Sequence, residues 1–231
     1  MLFTKKPIKI IDGIYDYIGE SLDNYVENYE EISKDNSKNK PIAESLILSN
    51  ICEIITTYLD SERVIDIGCG FGNVLYNAHA KEKVAIDISL NQLQSVDDNI
   101  IRIRAYAENI PIVSNYFDTV ICSDVYEHVL DTSKLVKEIV RLLKPKGSLL
   151  FATPWKQDLS VYDSKEYQRK FKKYKYIHLR SVNDTLIKES FSKDFGIINS
   201  TLITANMDYM ALKPYPIKFI HFKKKNKENG T

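Results

Sequence analysis

Val64-Ile65-Asp66-Ile67-Gly68-Cys69-Gly70-Phe71-Gly72 writes an apolar strand followed by three glycines at alternate positions. Glycine lacks a Cβ, so the chain can turn through positive φ there and its amides can come close to an anion or a ligand. The chemistry this suggests is nucleotide binding. A dinucleotide fingerprint needs its third glycine one position later, where this chain has Asn73, and a nicotinamide-dependent dehydrogenase is disfavoured for that reason. Asp66 stands two residues before the first glycine in an otherwise apolar strand. A carboxylate there is costly unless it is hydrogen-bonded or opposed by a cation. Lys83-Val84-Ala85-Ile86-Asp87 reads as a second buried strand ending in an acid. Asp87 lies 19 residues beyond Gly68, the usual reach of a carboxylate that grips a ribose diol.

A ligand with an ammonium for Asp66 and a ribose for Asp87 satisfies both acids, and S-adenosylmethionine is such a ligand. The segment from about Glu62 to Trp155 resembles a class I S-adenosylmethionine-dependent methyltransferase of the broad small-molecule type. The match continues through Asp87-Ile88-Ser89, Ala107-Glu108-Asn109-Ile110-Pro111, Phe117-Asp118-Thr119-Val120-Ile121-Cys122-Ser123 and Glu127-His128-Val129. It ends with Leu142-Leu143-Lys144-Pro145-Lys146-Gly147-Ser148-Leu149-Leu150. Several motifs in one order carry far more weight than a lone glycine loop. The resemblance implies a cofactor site made of Asp66, Gly68, Cys69, Gly70, Gly72, Asp87, Ile88, Ala107, Glu108 and Ser123, with S-adenosylhomocysteine as product. Where the family commonly places an Asp that binds the adenine amino group, this chain has Tyr106. Glu108 or a backbone carbonyl can substitute, or Tyr106 can stack on the ring.

The elements that must position these residues follow from Arg63 onward, where strands and helices alternate. Strands are expected near 63–67, 83–87, 100–105, 117–122, 147–153, 197–204 and 217–222. Such alternation implies a doubly wound, mostly parallel α/β sheet with helices on both faces. The last two strands, joined by a linker at 205–216, form an antiparallel hairpin. This fits the seven-stranded Rossmann-like sheet of the resembling family, with its antiparallel last strand. Residues 1–60 read as a helical, aromatic cap over the cofactor, with Tyr25 and Tyr29 as candidate pocket walls. Within that cap Ser33 to Lys40 reads as a loop, and Pro41 opens a helix whose apolar residues recur at spacings of three and four. Residues 61–155 form the cofactor-binding core, 156–222 an acceptor-pocket insert with the closing strands, and 223–231 a disordered basic tail.

Residues after the fourth strand of the core sit at the cofactor's reactive end in this reading. Asp124, Glu127 and His128 are the candidate acids and bases, and His128 has the best ordinary pKa for taking a proton from a hydroxyl. With His178 they partly resemble the metal cluster of small-RNA 2'-O-methyltransferases. The first acid of that pattern is Asp124 here and nothing near His178 completes it, so no metal is expected. No Pro-Pro-aromatic motif follows the strand and no Pro precedes Cys122, which argues against base or glutamine methylation. The insert at 162–180 interleaves Tyr162, Tyr167, Phe171, Tyr174 and Tyr176 with Arg169, Lys170, Lys172, Lys173 and Lys175. It covers the acceptor pocket, or its lysines hold a phosphate-bearing acceptor.

At 231 residues, 44% hydrophobic and 27% charged, the chain suits one α/β domain with a cap. Its net charge of +1 selects no partner. Residues 1–62 nevertheless carry 6 Lys against 12 acids, while residues 156–180 carry 8 Lys or Arg against 3. Three cysteines without metal-ligand spacing are expected to be reduced thiols of a cytoplasmic protein. No run has the length of a membrane span. The reading that results is methylation of a small-molecule or sugar-containing acceptor, most simply at a hydroxyl, by a monomer or homodimer with no nucleic-acid partner. The alternatives are a cofactor-binding module without catalysis and an RNA-directed methyltransferase.

Overall fold

The computed structural model describes residues 2–20, 23–38, 42–59, 61–171, 178–204 and 216–226. Five strands of the core are β3 (Arg63–Ile67), β4 (Glu82–Asp87), β5 (Ile101–Arg104), β6 (Phe117–Ser123) and β7 (Leu143–Pro154). They run parallel in the order β5-β4-β3-β6-β7. Chain order reverses beside β3, so β3 and β6 part at their carboxyl ends. That is where a doubly wound sheet opens a ligand crevice. Beyond β7 come β9 (Pro216–Lys224) and then β8 (Phe195–Thr204), with β9 antiparallel to both neighbours. The linker expected at 205–216 falls outside the described residues, except that Pro216 begins β9.

The alternation of side chains along β3 decides what each face touches. Ile65 and Ile67 join Val84's neighbour Ile86, Val120 and Phe151 in one apolar layer, covered by α5 (Thr132–Leu142) and α7 (Asp184–Phe191). Val64 points the other way, into a layer with Ala85, Ile121, Leu150 and Phe219 that α2 (Ile42–Thr57) and α3 (Asn73–Asn77) cover through Ile51, Ile55 and Leu75. Asp66 shares Val64's parity and is therefore aimed at the α2 side.

The amino-terminal segment departs from the helical reading. Residues 9–11 and 14–16 form a hairpin, β1 (Lys9–Ile11) and β2 (Ile14–Asp16), which extends the sheet to nine strands as β2 pairs in parallel with β5. Its two-residue turn, Asp12 at φ 50° and Gly13 at φ 77°, has the left-handed pair of angles that matches the strands' twist. The expected loop at Ser33 to Lys40 is also corrected. Helix α1 (Asn24–Lys38) runs through it as far as Lys38, because Ile32 and the buried Ser33 keep the helix tied to the core beneath. The tail reading fails at its start, since Lys223 and Lys224 belong to β9 and pair with β8.

A buried ion cluster fastens α1 and the hairpin to the core. Arg104, 4% exposed at the end of β5, gives Nη2 to Glu30 of α1 at 2.9 Å and lies 3.5 Å from Asp16 of β2. Its remaining donors reach the Ile88 and Gly19 carbonyls at 3.1 and 3.2 Å. Asp16 in turn accepts the Ile18 and Gly19 amides at 2.8 and 3.0 Å. Removing one partner of such a cluster leaves the others buried and uncompensated, at a cost of about 3–5 kcal/mol. Arg104→Leu should therefore lower unfolding stability by about that amount in urea titration, whereas an exposed pair such as Lys9–Glu20 should change it by less than about 1 kcal/mol when Lys9 is replaced by Ala.

Candidate active site

Three positive-φ glycines shape the turn after β3. Gly68 has φ 71°, and a Cβ there would lie 2.2 Å from the Val125 side chain, so only glycine lets this turn pass against the loop after β6. The amides of Gly68 and Cys69 both donate to the Ile86 carbonyl, at 2.8 and 2.9 Å. The Gly70 amide donates to Asp87 Oδ2 at 2.9 Å. The glycine turn and the end of β4 are thus one hydrogen-bonded unit, with Gly72 completing it as the residue that starts α3.

Asp87 is 7% exposed and also accepts the Ser89 amide on Oδ1 at 2.9 Å. With its amide oriented to donate, Gln92 reaches both carboxylate oxygens at 3.1 and 3.3 Å. Each oxygen has two lone pairs, so after the two backbone donors one acceptor site per oxygen remains. That is the donor demand of a vicinal diol, and Gln92 meets it in this structure. Burial pushes the Asp87 carboxyl up to about 6, against the lowering effect of the Ser89, Gly70 and Ile88 amides. Asp66 is 2% exposed, and burial first and the Asp87 charge second hold its carboxyl well above the usual range. No hydrogen bond to the Asp66 carboxyl occurs among the described residues. Both acids therefore fit a ligand that brings a diol and a cation, and S-adenosylmethionine has both.

The other expected cofactor residues lie on the same rim. Ile88 lends its carbonyl to Arg104, and Ser89 caps the short helix α4 (Leu90–Leu93) while donating to Glu30 at 3.1 Å. Glu30 also accepts the Leu90 amide at 2.7 Å. Tyr106, in the position of the family's adenine-binding Asp, donates to Asp23 just before α1 at 2.9 Å, and burial and that acid push its hydroxyl to about 12. Ala107 and Glu108 are half-buried, and Glu108 takes the Asp131 amide at 3.5 Å rather than a contact with the glycine turn. Cys69 is buried with its thiol raised well above normal by burial, which makes it an inert wall. Ser123 ends β6, half-buried, at the crevice.

Helix α1 closes over this rim. Tyr25 donates to the His128 carbonyl at 3.3 Å, and Tyr29 meets Tyr25 at 5.0 Å and the His128 ring edge-on at 5.8 Å. Beyond β6, Asp124 holds φ 54°, and in the turn that follows His128 meets Tyr29 of α1 while Glu127 packs against Thr153 of β7. Asp124 presents surface to the cleft, yet its carboxyl is crowded enough that desolvation raises it. Glu127 is 1% exposed, and burial first and the neighbouring Asp124 charge second push it well up. Thr153 donates to Glu127 Oε2 at 3.0 Å. His178 arrives from beyond the insert, its ring 4.7 Å from that of His128 and 5.7 Å from Tyr162. Burial and His128 depress His178 to about 2, so it is neutral. Lys172, Lys173, Lys175, Tyr174 and Tyr176 lie outside the described residues. Tyr162 and Tyr167 stack edge to face at 5.0 Å on the insert side of the site.

Sequence reasoning missed Glu30, Arg104, Gln92 and Gln157. Of these only Arg104 carried a sequence signal, the alternation of arginines in Ile101-Arg102-Ile103-Arg104 inside a strand of buried residues. A hollow of about 780 Å³ lined by Ser61, Glu62, His79, Lys81, Lys83 and Asp118 lies at the opposite, amino-terminal edge of the strands and takes no part in this site.

A parallel sheet with a buried acid ending its second core strand and a glycine turn after its first is the layout of a nucleotide-type cofactor site, and the comparisons specify the class. The family model described as "Methyltransferase domain" matches residues 65–151. An uncharacterized protein of Methanocaldococcus jannaschii is 30% identical over 169 residues, covering 72% of this chain and 68% of its own. The chain belongs to the class I S-adenosylmethionine-dependent methyltransferases. A ubiquinone biosynthesis O-methyltransferase of Neisseria meningitidis is 30% identical over 111 residues, 41% of this chain and 45% of that protein, so the match spans less than half of that relative. The N-methyltransferase NodS of Bradyrhizobium japonicum, solved with S-adenosyl-L-homocysteine, superimposes with a TM-score of 0.65 at 12% identity, over 88% of this chain and 100% of its own. At that identity the likeness carries the fold alone. Among the described residues no helix is long and apolar enough to cross a membrane.

A carboxyl raised to about 6 in the folded chain takes up its proton as pH falls through 6, and a protonated Asp87 offers a diol fewer acceptors. Affinity for S-adenosylhomocysteine should therefore fall about tenfold between pH 7.5 and pH 5, the consequence of one pKa unit at a site that binds only the ionised form. Calorimetric titration at both values checks this. Asp87→Asn should bind weakly at both and lose most of the pH dependence.

Proposed function

We propose that this methyltransferase O-methylates a hydroxyl on a small molecule, with a sugar or a specialised metabolite as the acceptor. Asp66, Gly68, Gly70 and Asp87 would hold S-adenosylmethionine, with Ile88, Ala107, Glu108 and Ser123 along its adenosine side. When bound, the cofactor supplies a methyl carbon on a sulfonium, whose C–S electron pair leaves with sulfur as the acceptor oxygen bonds to that carbon.

The chain's own contribution is position and a place for the acceptor's proton. Holding the reacting atoms near attack distance can supply several kcal/mol of the barrier, and a base at the hydroxyl a further factor of roughly 10² to 10⁴. The observation that carries the reading is the gathering of Asp124, Glu127, His128 and His178 at the carboxyl end of β6, roofed by Tyr29 and Tyr162. Nitrogen acceptors lose their proton to solvent without such help, whereas a hydroxyl needs it. The ubiquinone biosynthesis O-methyltransferases among the relatives act on oxygen by their name, which supports the same acceptor atom.

The test is methyl transfer from labelled S-adenosylmethionine to phenols, free sugars and sugar phosphates, set against total RNA and protein. Label in a hydroxylated small molecule is expected, and label in RNA or protein alone would overturn the reading. Tyr162 meets the His178 ring edge-on and shares Gln157 with it. Tyr162→Ala should raise the acceptor's KM about tenfold, an effect of roughly 1.4 kcal/mol, and leave S-adenosylhomocysteine affinity unchanged.

A further inference from the structure

We infer, resting on the O-methylation proposed above, that Arg180 binds an anionic group of the acceptor, a carboxylate or a phosphate, beside the segment that follows β6. Arg63, Arg102, Arg104 and Arg141 each lie 3.8 Å or less from a carboxylate oxygen. Arg180 is half-buried and has no such acid among the described residues; its one hydrogen bond goes to a backbone carbonyl. Arg169 also lacks an acid there, but it is exposed on α6 (Lys165–Phe171), where water solvates it. A guanidinium partly withdrawn from water without a counter-charge is unfavourable, and an anion brought by a ligand removes that cost.

The guanidinium is held in a fixed place. Its Nη1 donates to the Tyr126 carbonyl at 2.6 Å, and its Cζ lies 6.0 Å from the Tyr126 ring centroid. Tyr126 is itself immobilised: its ring is fully buried against Phe151 and Phe191, and its hydroxyl shares a 2.6 Å hydrogen bond with Ser190 of α7. The Leu179 amide donates to the Glu127 carbonyl at 2.8 Å, which fixes the backbone from which Arg180 departs. Nε and Nη2 have no partner among the described residues, and unlike Arg102 Nε they are not sealed from solvent. Those two donors form one edge of the guanidinium, the fork that matches two oxygens of a carboxylate or a phosphate. A fork already oriented loses little further freedom when it binds.

The surroundings belong to the acceptor end of the site. Tyr126 directly precedes Glu127 and His128, and Tyr25 of α1 donates to the His128 carbonyl at 3.3 Å. The Tyr25 hydroxyl is raised by burial first and by Glu108 second, and the Arg180 charge works against that rise, so the cation stands within the field of this tyrosine. Glu108 makes no ion pair with Arg180 among the described residues and instead accepts the Asp131 amide at 3.5 Å. Residues 156–180, which end at Arg180, carry 8 Lys or Arg against 3 acids, a balance that favours an anionic ligand. The acceptor is then a hydroxylated acid or a phosphate ester rather than a neutral alcohol.

The test uses the full chain saturated with S-adenosylhomocysteine and two matched series, one of glucose, glucuronate and glucose 6-phosphate, the other of 4-hydroxyphenylacetamide, 4-hydroxyphenylacetate and 4-hydroxyphenyl phosphate. Calorimetric titration gives the affinities, and labelled S-adenosylmethionine reports methyl transfer to the same compounds. In at least one series an anionic member should bind at least tenfold more tightly than its neutral partner. The carboxylate leading marks an acid as the acceptor, and the phosphate leading marks an ester. Arg180→Gln should erase the preference without changing S-adenosylhomocysteine affinity, and Arg180→Lys, which keeps the charge without the fork, should retain only part of it. The ratio of anionic to neutral affinity is not moved by a general loosening of the pocket, and circular dichroism establishes that each variant is folded. Binding by the wild type no tighter for any anionic member than for its neutral partner, absence of binding included, would overturn the site, as would a preference that survives in folded Arg180→Gln. A preference that depends on Arg180, with no methyl group transferred to any hydroxyl, would leave the anion site standing and remove the O-methylation reading instead.

Discussion

The Asp87 carboxylate, held by the amides of Gly70 and Ser89, is the interaction around which the carboxyl end of the sheet is organised. It joins the turn after β3 to the turn after β4, and it places a buried negative charge where the sheet order reverses. Burial works against that charge and the backbone amides work for it, with a carboxyl near 6 as the balance. The residues behind it repeat the theme. Ser89 and the Leu90 amide are held by Glu30, Glu30 by Arg104, and Arg104 by Asp16 and two carbonyls. The amino-terminal helix is thus connected to Asp87 through a chain of charged hydrogen bonds, and the element that lies over this rim also braces it. Such ties are about twice as strong as neutral ones and demand fixed geometry.

The parts of this arrangement that are local in sequence are legible there. Three glycines at alternate positions and an acid at or next to the end of each apolar strand announce the turn and the two buried acids beside it, because backbone conformation and strand parity are set within a few residues. The parallel core and the antiparallel closing hairpin follow from the alternation of strands and helices in the same way. The amino-terminal hairpin was also written locally, in Asp12-Gly13 between apolar residues, but the aromatic spacing from Ile14 to Ile32 reads more strongly as helix. Strand β2 exists because the edge of β5 accepts it, a tertiary contact that no window of sequence contains. Glu30 and Arg104 are 74 residues apart, and neither residue type predicts the other.

The acid and histidine cluster lies between these extremes. Asp124, Glu127 and His128 come from one short segment, and their placement at the end of β6 follows from fold class alone. His178, Gln157 and Tyr162 reach them only because the insert after β7 folds back, with the Leu179 amide donating to the Glu127 carbonyl at 2.8 Å and Arg180 to the Tyr126 carbonyl at 2.6 Å. Those two ties, one from a backbone amide and one from a guanidinium, hold residues 178–180 against the segment after β6. Fold likeness alone would not have specified chemistry, since one architecture hosts many reactions. The side chains at the strand ends do so.

The central claim is that the glycine turn and Asp87 bind an adenosyl amino acid and not a dinucleotide. Calorimetric titration of the purified chain with S-adenosylhomocysteine and, separately, with NAD tests it most directly. The account predicts one S-adenosylhomocysteine per chain with a Kd on the order of micromolar, near −8 kcal/mol, and no measurable heat with NAD. Binding of NAD tighter than S-adenosylhomocysteine would contradict it.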